Sequence, residues 1–268
     1  MGNEMDATGT RRSIVHAAEI LRQHAQCVAL TGAGLSTRSG LPDFRSPGKG
    51  VWEQLERMPA HAPRAMTLQG FKVDPEAFYR HFRSFLEKIL SAKPNAAHIA
   101  LAEMEASGTI QAIITMNGDM LHQKAGSQRV IEMHGTVARA VCIRCYRSDE
   151  GWYHWQQYLE FGKVPQCRHC GGVMKPEVIL TGEQLPVEKV LEARKWLQMC
   201  NTILAVGTSF SGGPVMHWVE QACAQGKKLV IINLSPTILG PVAEVVIRAD
   251  VVEALPALAD QLGQINGR

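Results

Sequence analysis

Cys27-Val28-Ala29-Leu30-Thr31-Gly32-Ala33-Gly34-Leu35-Ser36-Thr37 is the stretch that decides the architecture. Its first four residues are apolar without alternation, the pattern of a strand buried on both faces, and a glycine-rich turn follows at once. In an open α/β sheet such a turn stands at the carboxyl edge, where glycines let backbone N–H groups approach a pyrophosphate and a following helix adds its positive end. As a dinucleotide fingerprint it is incomplete: Thr37 stands where the third glycine belongs, and no acidic residue closes a second strand about twenty residues on. Taken alone, it fits a tight strand-to-helix turn nearly as well.

Three more short apolar runs repeat the pattern: Ala112-Ile113-Ile114-Thr115, Ile203-Leu204-Ala205-Val206 and Leu229-Val230-Ile231-Ile232. Gly207-Thr208-Ser209 follows the second of these and Asn233-Leu234-Ser235 the third, while helical patterns at Glu188 to Met199 and Val215 to Gln225 separate them. A first helix is expected over Ser13 to Gln26, with Ser13 as its cap. Strands alternating with helices predict an α/β fold with a doubly wound parallel sheet. Two stretches stand outside that alternation. Residues 45–110 contain Pro47, Pro59 and Pro63, then helical patterns at Pro75 to Leu90 and Ala96 to Ala106; residues 138–178 contain paired cysteines and the aromatics Trp152, Tyr153 and Trp155 with little periodicity. The expected organisation is a Rossmann-like dinucleotide-binding domain made of 1–44, 111–137 and 179–268, and a smaller domain made of a helical module (45–110) and a zinc-ribbon module (138–178).

Composition narrows the class without naming a partner. The chain has 268 residues, 46% hydrophobic and 20% charged, with 28 Lys and Arg against 25 Asp and Glu and a net charge of +3. That is enough chain for a full hydrophobic core, and without a run of five like charges there is no electrostatic footprint for nucleic acid. No apolar run approaches the roughly 18 residues of a membrane span. The polar start Met1 to Ser13 lacks the apolar stretch of a signal peptide, and Met1-Gly2 is followed by Asp6 where myristoylation wants Ser or Thr. A cytoplasmic protein is expected.

Cysteine spacing is more specific. Cys142-Ile143-Arg144-Cys145, twenty-one residues, then Cys167-Arg168-His169-Cys170 is the four-thiolate ribbon pattern, one residue over the usual spacer range. Two short turns each aim two thiolates at one point, which fills a tetrahedral Zn²⁺ and leaves no open position for water, so the metal is structural. His169 reads as an exposed loop residue. Cys27, Cys200 and Cys223 sit in apolar contexts and read as small core residues.

The glycine turn extends into Gly32-Ala33-Gly34-Leu35-Ser36-Thr37-Arg38-Ser39-Gly40-Leu41-Pro42-Asp43-Phe44-Arg45, which closely resembles the opening signature of the sirtuins, the NAD-dependent protein deacylases. Pro94-Asn95-Ala96-Ala97-His98, then Asn117 and Asp119 before Leu121-His122-Gln123-Lys124-Ala125-Gly126, then Glu132-Met133-His134-Gly135 resemble further blocks of that family in order. So do Gly182-Glu183, Gly207-Thr208-Ser209 and Asn233-Leu234-Ser235. The resemblance spans roughly residues 13 to 260. It implies NAD as cosubstrate, one structural zinc, and acylated lysine segments of proteins as partners, with the acyl group passed to ADP-ribose and nicotinamide released. It places NAD on Gly32, Ala33, Gly34, Ser36, Thr37, Asp43, Phe44 and Arg45, with Phe44 shielding the anomeric carbon, and on the loop Met116, Asn117, Gly118 and Asp119. The adenosine end falls near Gly207, Thr208, Ser209, Asn233, Leu234, Ser235 and Asp250. His134 matches the general base, Asn117 the residue orienting ribose and a water, and Asp119 the one holding the carboxamide. His98 and His122 are expected to be structural.

Four departures qualify that reading. The usual Gln-Asn-Ile-Asp reads Met116-Asn117-Gly118-Asp119, Thr181 replaces an aromatic before Gly182-Glu183, and Ser211-Gly212-Gly213-Pro214 has glycines where larger residues line the acyl-lysine cleft. Each removes bulk or apolar surface, which predicts a wider pocket or a preference for an acyl group other than acetyl. Tyr79-Arg80-His81-Phe82 has Phe82 where desuccinylating members carry an arginine, so acidic acyl groups are disfavoured unless Arg80 or Arg83 substitutes. Two alternatives share the scaffold: an ADP-ribosyltransferase or NAD glycohydrolase, and a non-catalytic zinc-ribbon binding module stabilised by NAD.

Overall fold

A computed structural model describes residues 2–43, 65–210 and 213–263. Phe44, Arg45, Ser211 and Gly212 lie outside the described residues. Six strands form the larger sheet: β1 (Cys27–Thr31), β2 (Ile110–Thr115), β3 (Val130–Glu132), β7 (Thr202–Val206), β8 (Lys228–Ile232) and β9 (Val245–Ile247). Their order is β3-β2-β1-β7-β8-β9, and every pairing is parallel. The unbroken apolar runs are explained by burial on two faces. Cys27 and Ala29 point into one core cluster and Val28 and Leu30 into the other; Leu204 and Val206 are divided likewise from Ile203 and Ala205.

One face is covered by α1 (Gly2–Gln23), α4 (Ala96–Ala106) and α9 (Val251–Gly263), the other by α7 (Val187–Met199) and α8 (Pro214–Ala224). The first helix does not start at a Ser13 cap. It runs from Gly2 through Ser13 to Gln23 in spite of Gly9, and Gln26, with a left-handed φ of 70°, precedes β1. The Ala96–Ala106 helix forms where its pattern predicted, but it packs with α1 and α9 rather than with a separate helical module. Its buried Ala97, Ala100, Leu101 and Met104 face the larger sheet.

The smaller domain joins α2 (Leu68–Val73), α3 (Pro75–Ser91), α6 (Gly151–Phe161) and an antiparallel sheet ordered β5-β4-β6, made of Ser148–Glu150, Gly135–Cys142 and Met174–Val178. The stretch with Trp152, Tyr153 and Trp155, which looked aperiodic, is the helix α6, with Trp155 and Tyr158 buried. Three aromatic hydrogen bonds tie its parts together. Trp155 Nε1 donates to Val137 O (2.7 Å), Tyr158 OH to Tyr79 O (2.6 Å) and Tyr79 OH to Met174 O (2.7 Å). The helical and cysteine-bearing pieces therefore share one core. Tyr79 is thereby committed to packing, while Arg80 pairs with Asp74 and Glu76, and Arg83 with Glu87 and Leu159 O. No described helix is long and apolar enough to cross a membrane.

Candidate active site and metal centre

From β1 the chain builds outward to β2 and β3 on one side, then returns to build β7, β8 and β9 on the other. The crevice at the carboxyl ends of β1 and β7 is a topological switch point, where open α/β sheets bind ligands. Gly32–Thr37, Met116–Asp119, His134, Gly207–Ser209, Asn233–Ser235 and Asp250 all follow the carboxyl ends of strands of this sheet. The topology thus brings nearly every expected ligand-binding residue to one edge.

At the switch point the glycines interlock. A Cβ on Gly32 or Gly34 would lie 2.8 Å from Gly207 O, and one on Gly207 only 2.3 Å from the Leu35 amide. Gly32 N–H donates to Val206 O (3.1 Å) and Gly34 N–H to Gly207 O (2.9 Å), while the amides of Leu35 and Ser36 close the turn itself. Thus the two glycine amides lock two loops together rather than facing a pyrophosphate. Among the described residues, Ala33 and Thr37 have amides not engaged this way.

Beneath the turn lies a buried polar network. Ser36 Oγ donates to Asp119 Oδ2 (2.6 Å) and accepts from Asn117 Nδ2 (3.2 Å), which also donates to Gly32 O (3.1 Å). Asp119 Oδ1 accepts the Leu121 amide (3.0 Å), at the start of the short helix α5 (Leu121–Lys124). Asn117 Oδ1 is buried without a partner, an acceptor that a sugar hydroxyl would satisfy. His98 accepts the Asn95 amide at Nδ1 (3.3 Å), closing the cap of α4, and turns Nε2 towards Ser36. His122 Nε2 meets Thr31 Oγ1 (2.9 Å), whose own proton goes to Thr115 Oγ1 (2.8 Å). Burial lowers the pKa of His98 to about 4 and that of His122 to about 3, so both are neutral near pH 7. Thr31, Thr115 and the His122 contact carry no motif signal and were not legible beforehand.

His134 stands at the rim with its ring open to solvent on one side. Its Nδ1 is 3.1 Å from Met116 O, and because a carbonyl only accepts, Nδ1 carries the proton and Nε2 is a bare base. Burial of the ring's other side lowers its pKa below the usual imidazole value, with the Met116 carbonyl opposing. Behind it, Glu132 is pushed up to about 7 by burial, and its Oε1 lacks a partner.

A further device was missed because the motif pair Gly182-Glu183 does not name the partner of its carboxylate. Lys175 is buried in β6, and its Nζ donates to Pro176 O (3.0 Å), Val178 O (2.6 Å) and Glu183 Oε2 (3.0 Å). Glu183 Oε2 also accepts the Leu180 amide (2.7 Å), so the loop carrying Thr181 and Gly182 is wrapped around one ammonium group. The Ile179 amide donates to His134 O (2.8 Å), linking that loop to the histidine. A pair Lys-x₇-Glu across a strand end is the signal that would have found it.

Arg38 pairs with Asp250 Oδ2 through Nε (2.7 Å) and Nη2 (2.6 Å), and Asp250 Oδ1 accepts the Val252 amide (3.2 Å) at the start of α9. Asn233 Nδ2 donates to Ser235 O (2.7 Å), which shapes the loop after β8.

Cys142, Cys145, Cys167 and Cys170 bring their sulfurs within 4.8 Å of one another, with Cys142–Cys170 at 3.5 Å and Cys145–Cys167 at 3.7 Å. A tetrahedron of ~2.3 Å Zn–S bonds has edges of about 3.8 Å, so the donor set fits one zinc. Gly172 is required beside it, since a Cβ there would lie 2.9 Å from Cys142 Sγ. The Arg144 and Gly172 amides lie 3.4 Å from Cys142 Sγ and Cys170 Sγ and offset thiolate charge.

This combination of switch-point crevice, histidine rim and four-sulfur cluster has known counterparts. The Sir2 family model matches residues 32–214. The chain belongs to the Sir2 family. An "NAD-dependent protein deacetylase 1" of Pyrobaculum aerophilum is 40% identical over 247 residues, covering 91% of this chain and 93% of the relative. An "NAD-dependent protein deacylase 2" of Archaeoglobus fulgidus is 36% identical over 254 residues, covering 93% and 96%. Among solved structures, a Sir2 complex with a p53 peptide and NAD+ is 34% identical, covers 93% of this chain and 96% of that one, and superposes with a TM-score of 0.79. Sir2 membership accounts for the parallel sheet, the inserted smaller domain and the cysteine cluster together.

Proposed function

We propose that this Sir2 protein is an NAD-dependent protein-lysine deacylase acting on acylated lysine segments of cytoplasmic proteins. The observation that carries the reading is the bare Nε2 of His134, held on the Met116 carbonyl beside Asn117 and Asp119 at the switch-point crevice. The free thiols Cys27 and Cys200 and the reduced four-cysteine cluster suit the reducing cytoplasm.

Bound NAD supplies a ribose from which nicotinamide is a ready leaving group. The residues divide the remaining work. Asn117, fixed through Nδ2 to Ser36 and Gly32, offers its orphan Oδ1 to a sugar hydroxyl. Asp119, fixed by Ser36 and the Leu121 amide, presents a carboxylate of set orientation to a carboxamide N–H. Ala33 and Thr37 contribute the turn's remaining amides to phosphate. With the acyl-lysine carbonyl oxygen replacing nicotinamide at the anomeric carbon, His134 would take a proton from a neighbouring ribose hydroxyl, whose oxygen then bonds the acyl carbon. The lysine nitrogen leaves as its amine, and one water adding at the acyl carbon completes the ester.

The test is incubation with NAD and a panel of acyl-lysine peptides, with mass spectrometry for O-acyl-ADP-ribose. That product should form, and His134→Ala should abolish it. Nicotinamide release without an acylated peptide would point to glycohydrolase or ADP-ribosyl transfer, and tight NAD binding without turnover to a binding module.

A further inference from the structure

The loop that carries Asn117 and Asp119 rests on the last residues of two strands. Thr31 ends β1, Thr115 ends β2, and the parallel register sets them side by side. The Met116 amide donates to Thr31 O (3.0 Å), and side chains continue the joint. Thr31 Oγ1 donates to Thr115 Oγ1 (2.8 Å), which also accepts the Asn117 amide (3.1 Å).

His122 closes this relay from the far side of the loop. Because the single hydroxyl proton of Thr31 goes to Thr115, Thr31 Oγ1 can only accept from the ring, so His122 Nε2, 2.9 Å away, carries the imidazole proton. Nδ1 is then bare, and it is buried without a partner. The ring belongs to the second residue of α5, whose first amide, Leu121 N–H, holds Asp119 Oδ1 (3.0 Å). At four residues α5 is too short to be stable by itself, so its tie to the strands fixes where that amide stands. Thr31, Thr115 and His122 are all fully buried, and a bond lost among them leaves a polar atom unpaired away from water.

We infer that His122 is a positioning residue for the loop that holds ribose and carboxamide: through Thr31 and Thr115 it fixes the Asn117 backbone, and through α5 it fixes Asp119. One imidazole thereby sets both side chains on the ends of β1 and β2. This rests on the roles proposed above for Asn117 and Asp119. Without the ring N–H, α5 loses its tie to Thr31, and the two side chains leave the geometry that a reacting complex requires.

The experiment compares wild type with three variants and a control. His122→Phe removes the donor, His122→Gln keeps an amide donor near the Nε2 position, and Thr31→Val breaks the relay at its centre. The control is Thr202→Val. Thr202 is fully buried too, but its hydroxyl donates to His24 O (2.9 Å) at the amino end of β7, away from the crevice. Long-range ¹⁵N NMR without NAD or peptide reads the His122 tautomer, hydrogen exchange reads the Asn117 amide, and steady-state kinetics read kcat and KM. Expected are an Nε2–H tautomer in wild type and exchange at Asn117 about tenfold faster in His122→Phe and Thr31→Val. In both, kcat should fall about tenfold while the KM for acyl-peptide stays within about twofold. His122→Gln should keep about a third of kcat or more, and Thr202→Val all of it. A wild-type Nδ1–H tautomer overturns the inference, and so does His122→Phe with kcat and Asn117 exchange both within about twofold of wild type. Equal losses of kcat in His122→Phe and Thr202→Val would mark general loosening and overturn it as well. If His122→Phe does not fold, Thr31→Val is held to the same criteria; if neither folds, the wild-type tautomer decides. Absence of acyl transfer by wild type would sink the functional reading instead, and tautomer and exchange would still decide the role of His122.

Discussion

Single residues set the acid response, and the signs can be worked out. His98 and His122 have folded pKa values of about 4 and about 3, below the unfolded value of about 6.5. Their stabilisation is complete above pH 6.5 and is lost as pH falls, because the unfolded chain then binds protons that the folded chain refuses. Glu132, raised to about 7 from 4.5, has the opposite sign between those values, since there the folded chain keeps a proton that the unfolded chain releases. Between pH 4.5 and 6 the two buried histidines outweigh Glu132, and His134 acts in their direction, so stability falls as the pH is lowered. Urea titrations at several pH values should show that decline for wild type and a shallower one for His122→Gln; equal slopes would remove His122 from the account. For His134, lowered by burial, the acid limb of kcat/KM should fall below pH 6.5, and a limb above 7 would contradict its assigned environment.

At the scale of elements, the wrap of Val178 to Glu183 around Lys175 is the least replaceable contact beside the site. Lys175→Met leaves the Glu183 carboxylate partly buried without its cation, a loss of about 3 kcal/mol. The double variant Lys175→Met with Glu183→Gln should recover most of it. We expect the single variant to raise the KM for acyl-peptide more than that for NAD, because the loop is bonded to the His134 backbone and not to the glycine turn; equal rises in both would argue for general loosening. Legibility also divides at this scale. β1, β2, β7 and β8 could be read because burial on both faces leaves an unbroken apolar run, whereas β3 and β9, three residues each, are too short for any period. The helix α4 could be read, but its partners could not, because periodicity gives a face without saying what covers it. Within the site, Asn117 and His134 carry a motif signal; Lys175 does not, because its partners at 176, 178 and 183 are set by how the strand end folds back on itself and not by any period.

Over the whole molecule, one zinc position holds the smaller domain's sheet closed from its far end. Cys142 ends β4, and Cys167 and Cys170 precede β6, so removing the metal frees both strands from one another. Chelation, or Cys142→Ser, should abolish deacylation and expose the smaller domain to protease while the six-stranded sheet keeps most of its circular dichroism; unchanged activity after zinc loss, confirmed by metal analysis, would make the cluster dispensable. The strand order has a consequence for biosynthesis. β1 is the first strand made, yet its two neighbours are residues 110–115 and 202–206. On the ribosome it waits with one edge bare until more than three quarters of the chain has emerged, apolar on both faces and open to pairing with other chains. The described core of the inserted domain, by contrast, ends at Leu180. The guest can close before its host, and newly made copies need shelter for β1 in the interval.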